Sequence, residues 1–194
     1  MTKTQLWFEK LRVTIITYIP FEKLGLCAAI AIALFSLCFV LHLLFSKLTK
    51  KTHKFDFMRF LSLSLVIAFI YFIFDVTILS RLSVQGINYG LNMQLFTPNP
   101  EGMFSTVITA LYNALMFLPI SLLLPRVARP FKYVALPLCI LLGCGIEYLQ
   151  YYLKVGMCEL DDAIYYALGA LAGFLLSPLV FKLEQKFKGR KKSQ

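Results

Sequence analysis

Charged residues are scarce in this 194-residue chain: they make up 15% of it, and only ten of them are acidic. Soluble domains carry roughly 25% charged residues, and disordered chains are rich in charge and poor in aromatic residues. This sequence has 59% apolar residues, with eighteen Phe and ten Tyr. Both classes are therefore excluded. The composition predicts a polytopic membrane protein whose net charge of +10 lies outside the hydrocarbon core.

Cysteine and histidine are also few. Four of the five cysteines lie within apolar runs, where they are expected to behave as small buried hydrophobic residues. These four are Cys27, Cys38, Cys139 and Cys144, and only Cys158 lies in a polar segment. The two histidines lie apart from any cluster of other ligands. The sequence therefore predicts neither a metal site nor a cofactor.

Five apolar runs are long enough to cross the ~30 Å hydrocarbon core of a bilayer as helices. They are residues 24–45, 60–80, 106–124, 133–153 and 163–181. Each run is continuously apolar rather than alternating, which disfavours membrane-spanning strands. The expected fold class is all-α, a polytopic transmembrane helix bundle of about five spans. Residues 1–23, whose apolar stretch is too short to span, are predicted to form an amphipathic interfacial segment.

Basic residues are distributed unevenly along the connecting segments. Fourteen of the twenty Lys and Arg lie after the first run, after the third run and in the tail. With five spans these segments share one side of the membrane, which the positive-inside rule makes cytoplasmic. The protein is thus expected in the cell membrane with a cytoplasmic carboxy-terminal tail. Residues 1–23 carry four basic residues of their own, so their side stays open.

Polar side chains recur near the opposite ends of the spans, where an outer-leaflet site is predicted. Intramembrane ionisable groups usually face the bundle interior and pair with one another. We therefore expect these side chains to converge, together with Asp75, and Arg81 to be the counter-ion of one carboxylate. The candidate ligand-binding residues are Arg81, Asn113, Glu147, Gln150, Asp161 and Asp162.

Structural roles for the same residues stay open. The two aspartates can simply cap the fifth helix, because acidic residues favour helix amino-termini. Glu147 paired with Arg81 can serve only to hold helices together. Gly169 and Gly173 form a G-x-x-x-G pair, which predicts a close helix-packing surface.

Several pieces of the chain, in order, resemble VanZ-like membrane proteins. Residues 77–81 resemble the arginine-bearing end of the family's first helix, and residues 113–119 resemble its N-x-x-x-F-x-P helix. Residues 146–173 resemble its carboxy-terminal signature of an E-x-x-Q helix end, an acidic turn and a glycine-spaced helix. The resemblance implies a four-helix VanZ-like domain over residues 60–181. An added helix with a basic loop (24–59) precedes it, and a basic tail (182–194) follows.

The chain departs from the family pattern at two places. The family usually has an arginine shortly before the acidic turn, where this chain has Gly156, Met157 and Cys158. It commonly has an asparagine four residues after the last aspartate, where this chain has Tyr166. If those groups bind the family's ligand, this member binds a different ligand or none.

The resemblance implies a bacterial envelope protein. The family's namesake is associated with low-level resistance to teicoplanin, a lipid-bearing glycopeptide antibiotic. Reduced susceptibility to lipoglycopeptides, or binding of a lipid-anchored envelope molecule at the outer-leaflet site, is the expected function. The expected partners are membrane lipids and a lipoglycopeptide or lipid-linked cell-wall precursor. Nucleic acid is not expected, because no soluble basic domain is present.

Two other classes of function stay open. A membrane enzyme could act on a lipid-linked envelope substrate, with the acidic cluster holding Mg²⁺ or Ca²⁺ or supplying a general base. The sequence has no histidine near that cluster and no P-loop. A transport or assembly subunit could use Asp75 and Asn113 to line a pathway, although no inverted repeat is visible.

Overall fold

A computed structural model describes residues 21–49, 56–84, 89–98, 102–127 and 133–190. Five long helices account for most of this part of the chain. They are α1 (Phe21–Thr49), α2 (Phe57–Thr77), α3 (Met103–Val127), α4 (Ala135–Tyr152) and α5 (Leu160–Arg190). The predicted all-α bundle is confirmed.

Four of these helices are long and apolar enough to cross a membrane: α1, α2, α3 and α5. The fourth helix, α4, has 18 residues and is therefore about 27 Å long. It falls outside this group because polar residues, among them Glu147 and Gln150, interrupt its second half. The chain is a membrane protein, and four of the five predicted spans meet both conditions.

The helix ends differ from the predicted bounds mainly at the two termini. Helix α5 continues to Arg190, so it extends into the predicted basic tail. The predicted interfacial segment, residues 1–23, lies outside the described residues except for its last three, which begin α1. No proline or glycine interrupts residues 182–188, so nothing in the sequence stops the helix at residue 181.

Two elements were not predicted, and both lie in the connections. A 3₁₀ turn, Leu79–Arg81, follows α2. Two three-residue strands, β1 (Gly90–Asn92) and β2 (Met157–Glu159), pair in parallel, with Leu91 opposite Cys158. Strands this short have too few residues for an alternating pattern to be visible. Their pairing joins the α2–α3 connection to the turn before α5.

Helices α3 and α5 pack against each other most closely, at the predicted G-x-x-x-G surface. A Cβ atom on Gly169 would collide with the backbone carbonyl of Ala114, and one on Gly173 would collide with that of Leu118. The glycines therefore let the two backbones approach to a distance that any side chain would prevent. This contact fixes the start of α5 beside the first half of α3.

The buried core lies between α2, α3 and α5. Its fully buried side chains include Ala68, Ile73, Phe117, Ile120 and Ala170. The rings of Phe117 and Tyr166 lie 4.6 Å apart. Tyr166 is only 2% exposed, so this ring pair packs in the interior beneath the polar residues at one end of the bundle.

An ion pair joins α1 to α2. The Lys23 Nζ lies 2.9 Å from the Asp75 Oδ2, and the two side chains are 28% and 17% exposed. The pair compensates the charge of Lys23 at the start of α1 with that of Asp75 near the end of α2. Since α1 begins where α2 ends, the two helices are antiparallel.

We expect this pair to stabilise the α1–α2 contact modestly. K23A or D75A should each lower the free energy of unfolding by about 1 kcal/mol, since the pair is partly exposed. The K23A/D75A double variant should cost less than the sum of the two single changes. Thermal unfolding of the four proteins in detergent measures this coupling. Strictly additive effects would contradict a direct interaction.

Candidate binding site at the acidic end of the bundle

Most of the predicted site residues lie at one end of the bundle, which we call the acidic end. It comprises the 3₁₀ turn after α2, the start of α3, the last turns of α4, strand β2 and the first turns of α5. Its carboxylates belong to Glu147, Glu159, Asp161 and Asp162. The spacing of hydrophobic runs already predicted that these segments share one side of the bundle.

Glu147 and Gln150 lie three residues apart on α4, and both face the protein interior. Glu147 is 2% exposed, and its Oε2 accepts a hydrogen bond of 2.9 Å from the backbone N–H of Glu159. The Gln150 Nε2 donates to the Thr77 carbonyl over 3.1 Å. These bonds tie the end of α4 to β2 and to the end of α2. Both side chains therefore have a structural role in positioning the site.

Asp162 and Asn113 form the central polar contact of the acidic end. The Asn113 Nδ2 donates to the Asp162 Oδ1 over 2.6 Å. Tyr166, one turn further along α5, lies within the electrostatic influence of Glu147 and Asp162. Tyr166 lies four residues after Asp162, a spacing that places both on one face of the helix, but it is not among the predicted site residues. Its burial against Phe117 makes it a support for the polar residues.

Asp161 holds the connection before α3. Its Oδ1 and Oδ2 accept hydrogen bonds from the backbone N–H groups of Phe96 (2.9 Å) and Thr97 (3.1 Å). Phe96 has φ 56°, in the left-handed region. The Asn92 Nδ2 donates to the Glu159 Oε1 over 3.2 Å. The connection is thus fastened to the start of α5 at two points.

A cavity of about 170 Å³ lies between this connection, α3 and the start of α5. Three carboxylates and several hydroxyl groups face it. Its lining residues are Thr97, Pro98, Thr106, Thr109, Glu159, Asp161, Asp162 and Tyr165. Two of the residues predicted for the site, Asp161 and Asp162, therefore line an open space. Glu147 and Gln150 are not among its lining residues.

Sequence reasoning missed most of the cavity lining, although a signal was present. Thr106, Thr109 and Asn113 follow one another at steps of three and four, so they share one face of α3. Glu159 belongs to the acidic cluster of the enzyme alternative but is not among the candidate ligand-binding residues. The contribution of Thr97 depends on the fold of the connection, which no periodic pattern indicates.

Arg81 does not pair with a carboxylate, contrary to the prediction. Asp75 is paired with Lys23 instead, and Arg81 has neither an ion pair nor a side-chain hydrogen bond with any residue in the described ranges. The reason is the 3₁₀ turn, which carries the guanidinium over the backbone of Gly156. A Cβ atom at that position would lie 2.9 Å from the Arg81 Nη1.

Three polar atoms in this part of the bundle are buried without a hydrogen-bond partner among the described residues: the Thr109 Oγ1, the Tyr112 hydroxyl oxygen and the Glu147 Oε1. Buried polar groups in native proteins are usually satisfied by protein, water or ligand. The Thr109 hydroxyl belongs to a cavity-lining residue, so a polar group in the cavity would satisfy it.

The acidic residues do not form a metal centre by geometry. Across the described ranges, no three His, Cys, Asp or Glu side chains converge to hold a metal ion. Burial, followed by the nearby charge of Glu147, raises the pKa of the Cys158 thiol. Since the thiolate is the reactive form, this cysteine is not an activated nucleophile at neutral pH.

Comparison with known proteins gives one result. The family model described as VanZ/LLP1 matches residues 33–181. No curated protein and no solved structure matches the chain. The matched range contains α2, α3 and α4 completely, the larger part of α1 and α5, and every residue of the acidic end. The chain belongs to the VanZ-like family of membrane proteins.

Proposed function

We propose that this protein lowers bacterial susceptibility to lipoglycopeptide antibiotics such as teicoplanin. In this proposal it binds a lipid-anchored envelope molecule at the acidic end of the bundle, which faces the outside of the cell. The observation that carries the proposal is the cavity lined by Glu159, Asp161 and Asp162. Membership in the VanZ-like family supports an envelope role.

Charge distribution supports the outward orientation of the acidic end. The described basic residues Lys47, Arg59 and Arg126 lie near helix ends on the opposite side of the bundle. The Arg126 guanidinium stacks 4.8 Å from the centre of the Phe181 ring, which places the second half of α5 at the same end. By the positive-inside rule this end, with the carboxy-terminal tail, faces the cytoplasm.

The cavity lining indicates what kind of polar group it holds. Carboxylates that share a small, partly enclosed space repel one another, and a cation placed between them relieves that repulsion. Hydroxyl groups of Thr106 and Thr109 add hydrogen-bond acceptors for an ammonium group. A volume of about 170 Å³ exceeds the space that one water molecule needs several-fold. We therefore infer a small cationic head group as the occupant.

Apolar side chains beside the cavity provide a surface for the lipid portion. Phe96 is 70% exposed, Met103 74% and Phe104 40%. These residues flank the lining residues Thr97 and Thr106 in sequence. An amphiphile could place its head group in the cavity while its chain follows this apolar surface into the outer leaflet. Such a ligand reaches the site from the membrane, as a lipid-anchored molecule would.

The proposal predicts that neutralising the cavity abolishes protection. In the E159Q/D162N variant, both side chains keep an oxygen that accepts the existing bonds from Asn92 and Asn113. Two negative charges are lost. Expressed in a teicoplanin-susceptible bacterium, the wild-type protein should raise the minimum inhibitory concentration. The double variant should return it to the level of the empty vector.

D56N is the matched control, because it makes the same chemical change at the opposite end of the bundle. Asp56 caps α2 by accepting from the Arg59 N–H, and Asn is an equally good cap. D56N should protect as the wild-type protein does, and membrane abundance should be equal in all three. If E159Q/D162N at normal abundance protects fully, the cavity is not the site.

A further inference from the structure

Arg81 has neither an ion pair nor a side-chain hydrogen bond in the described ranges, although its charge acts on Asp162 from a longer distance. It is partly buried, and at the edge of a membrane an uncompensated charge is costly. A guanidinium has five donors in a planar fork, which suits a carboxylate or a phosphate. In the described ranges none of these donors is used. The group is therefore available to an external anion.

Gly156 makes room for this arrangement. The Arg81 Nη1 occupies the space into which a side chain at position 156 would extend, 2.9 Å from the position of a Cβ atom. The same Cβ atom would lie 3.5 Å from the Gln150 Cδ, and Gln150 is itself fixed to the Thr77 carbonyl. The guanidinium therefore lies over the Gly156 backbone, on the side where the Gln150 side chain lies.

Arg81 lies on the side of the cavity that Asp162 lines. The Arg81 charge influences Asp162 electrostatically, and Asp162 lines the cavity. Arg81 also influences Tyr112, one residue before Asn113. The cationic Arg81 therefore lies on the same side of the bundle as the anionic cavity lining at Asp162.

We propose that Arg81, seated over Gly156, binds a phosphate-type anionic group of the same amphiphile whose cationic group lies in the acidic cavity. The ligand is then zwitterionic, with its phosphate toward Arg81 and its ammonium toward Glu159 and Asp162. This inference rests on the proposed function, since it specifies the chemistry of the ligand of that site.

The test measures binding of dodecyl phosphate to the purified full-length protein in neutral maltoside micelles by isothermal titration calorimetry. Wild-type protein should bind saturably. Charge-assisted hydrogen bonds are strong, so R81Q should weaken binding by about tenfold or more. R81K keeps the charge but loses the planar fork, and it should fall between the two. Equal affinity of R81Q and wild-type protein overturns the proposal.

A matched pair of glycine substitutions tests the position of the guanidinium without removing it. G156A places a methyl group where the Arg81 Nη1 lies, and the flexible side chain must move away. G145A adds the same methyl group on α4, where nothing lies within 4 Å. G156A should weaken dodecyl phosphate binding several-fold, and G145A should leave it unchanged. Equal affinities in the two variants count against a positioned Arg81.

Two additional probes separate the possible outcomes. Inorganic phosphate shares the anion but lacks the chain. If an equal concentration of inorganic phosphate displaces dodecyl phosphate, the site binds free phosphate and the proposal of an amphiphilic ligand is overturned. Dodecylammonium tests the cavity: R81Q should still bind it. If only dodecyl phosphate shows the expected pattern, the cavity proposal fails while Arg81 remains an anion site. If only dodecylammonium binds as expected, the Arg81 inference fails and the cavity proposal stands.

Discussion

G169A should lower the free energy of unfolding more than the glycine-to-alanine substitutions at positions 145 and 156. The added Cβ would collide with the backbone carbonyl of Ala114, and a helix backbone cannot rotate away as a side chain can. Overpacking of a core costs about 1–3 kcal/mol when side chains can adjust, so a backbone collision should cost at least about 3 kcal/mol. The α3–α5 contact positions Asn113 relative to Asp162, so the acidic end should be lost with it.

Thermal unfolding in detergent, followed by size-exclusion chromatography, measures this effect. G25A is the control, because Gly25 lies in α1 with nothing within 4 Å of an added Cβ. Alanine also favours the helix over glycine, so G25A should retain or slightly raise the unfolding temperature. A G169A variant as stable as G25A would show that α3 and α5 do not pack through this glycine.

N113L should be the most damaging side-chain substitution at the acidic end. Leucine has the same number and branching of side-chain heavy atoms as asparagine but removes the N–H that donates to the Asp162 Oδ1 over 2.6 Å. Leaving a mostly buried carboxylate without its partner should lower the free energy of unfolding by about 2 kcal/mol. N113L/D162L removes the carboxylate as well. Because both partners are then apolar, the double variant should be more stable than N113L alone.

The comparison uses equilibrium unfolding of wild-type protein, N113L, D162L and N113L/D162L under identical detergent conditions. The four values form a double-mutant cycle, which isolates the coupling between the two side chains. A double variant less stable than N113L would mean that Asp162 is stabilised by something other than Asn113.

Much of the architecture could be predicted because it depends on local apolar length. Long apolar runs specify membrane helices whatever their neighbours are, so the core of each helix was placed correctly. The G-x-x-x-G spacing likewise predicted a close contact, although not that α3 is the partner. Glu147 and Gln150 are three residues apart, a spacing that places both on one face of a helix, and both face inward.

The details of the acidic end depend on the connections, which periodicity does not describe. Asp161 lines the same cavity as Glu159 and Asp162, but its hydrogen bonds with the backbone at Phe96 and Thr97 depend on the fold of the connection. Arg81 was expected to pair with a carboxylate. That expectation was wrong because the 3₁₀ turn after α2, which positions Arg81, leaves no pattern in the sequence. The sequence does not show why position 156 is glycine, because the contact between its backbone and Arg81 depends on the fold.

The polar residues at the acidic end thus divide into two groups. Glu147, Gln150 and Asp161 satisfy backbone groups and hold the connections in place. Glu159 and Asp162 line an open cavity and keep charge available to a ligand. This division means that substitutions of the first group will reduce stability, whereas charge-neutralising substitutions of the second group will reduce binding.

Binding of dodecylammonium to the purified protein in neutral maltoside micelles tests the central claim most directly. The wild-type protein should bind this cationic amphiphile saturably, and D56N should match it. E159Q/D162N should bind about tenfold more weakly or not at all, because it lacks two of the three cavity charges. Saturable binding of equal strength in wild-type protein and E159Q/D162N would contradict a cation site in this cavity.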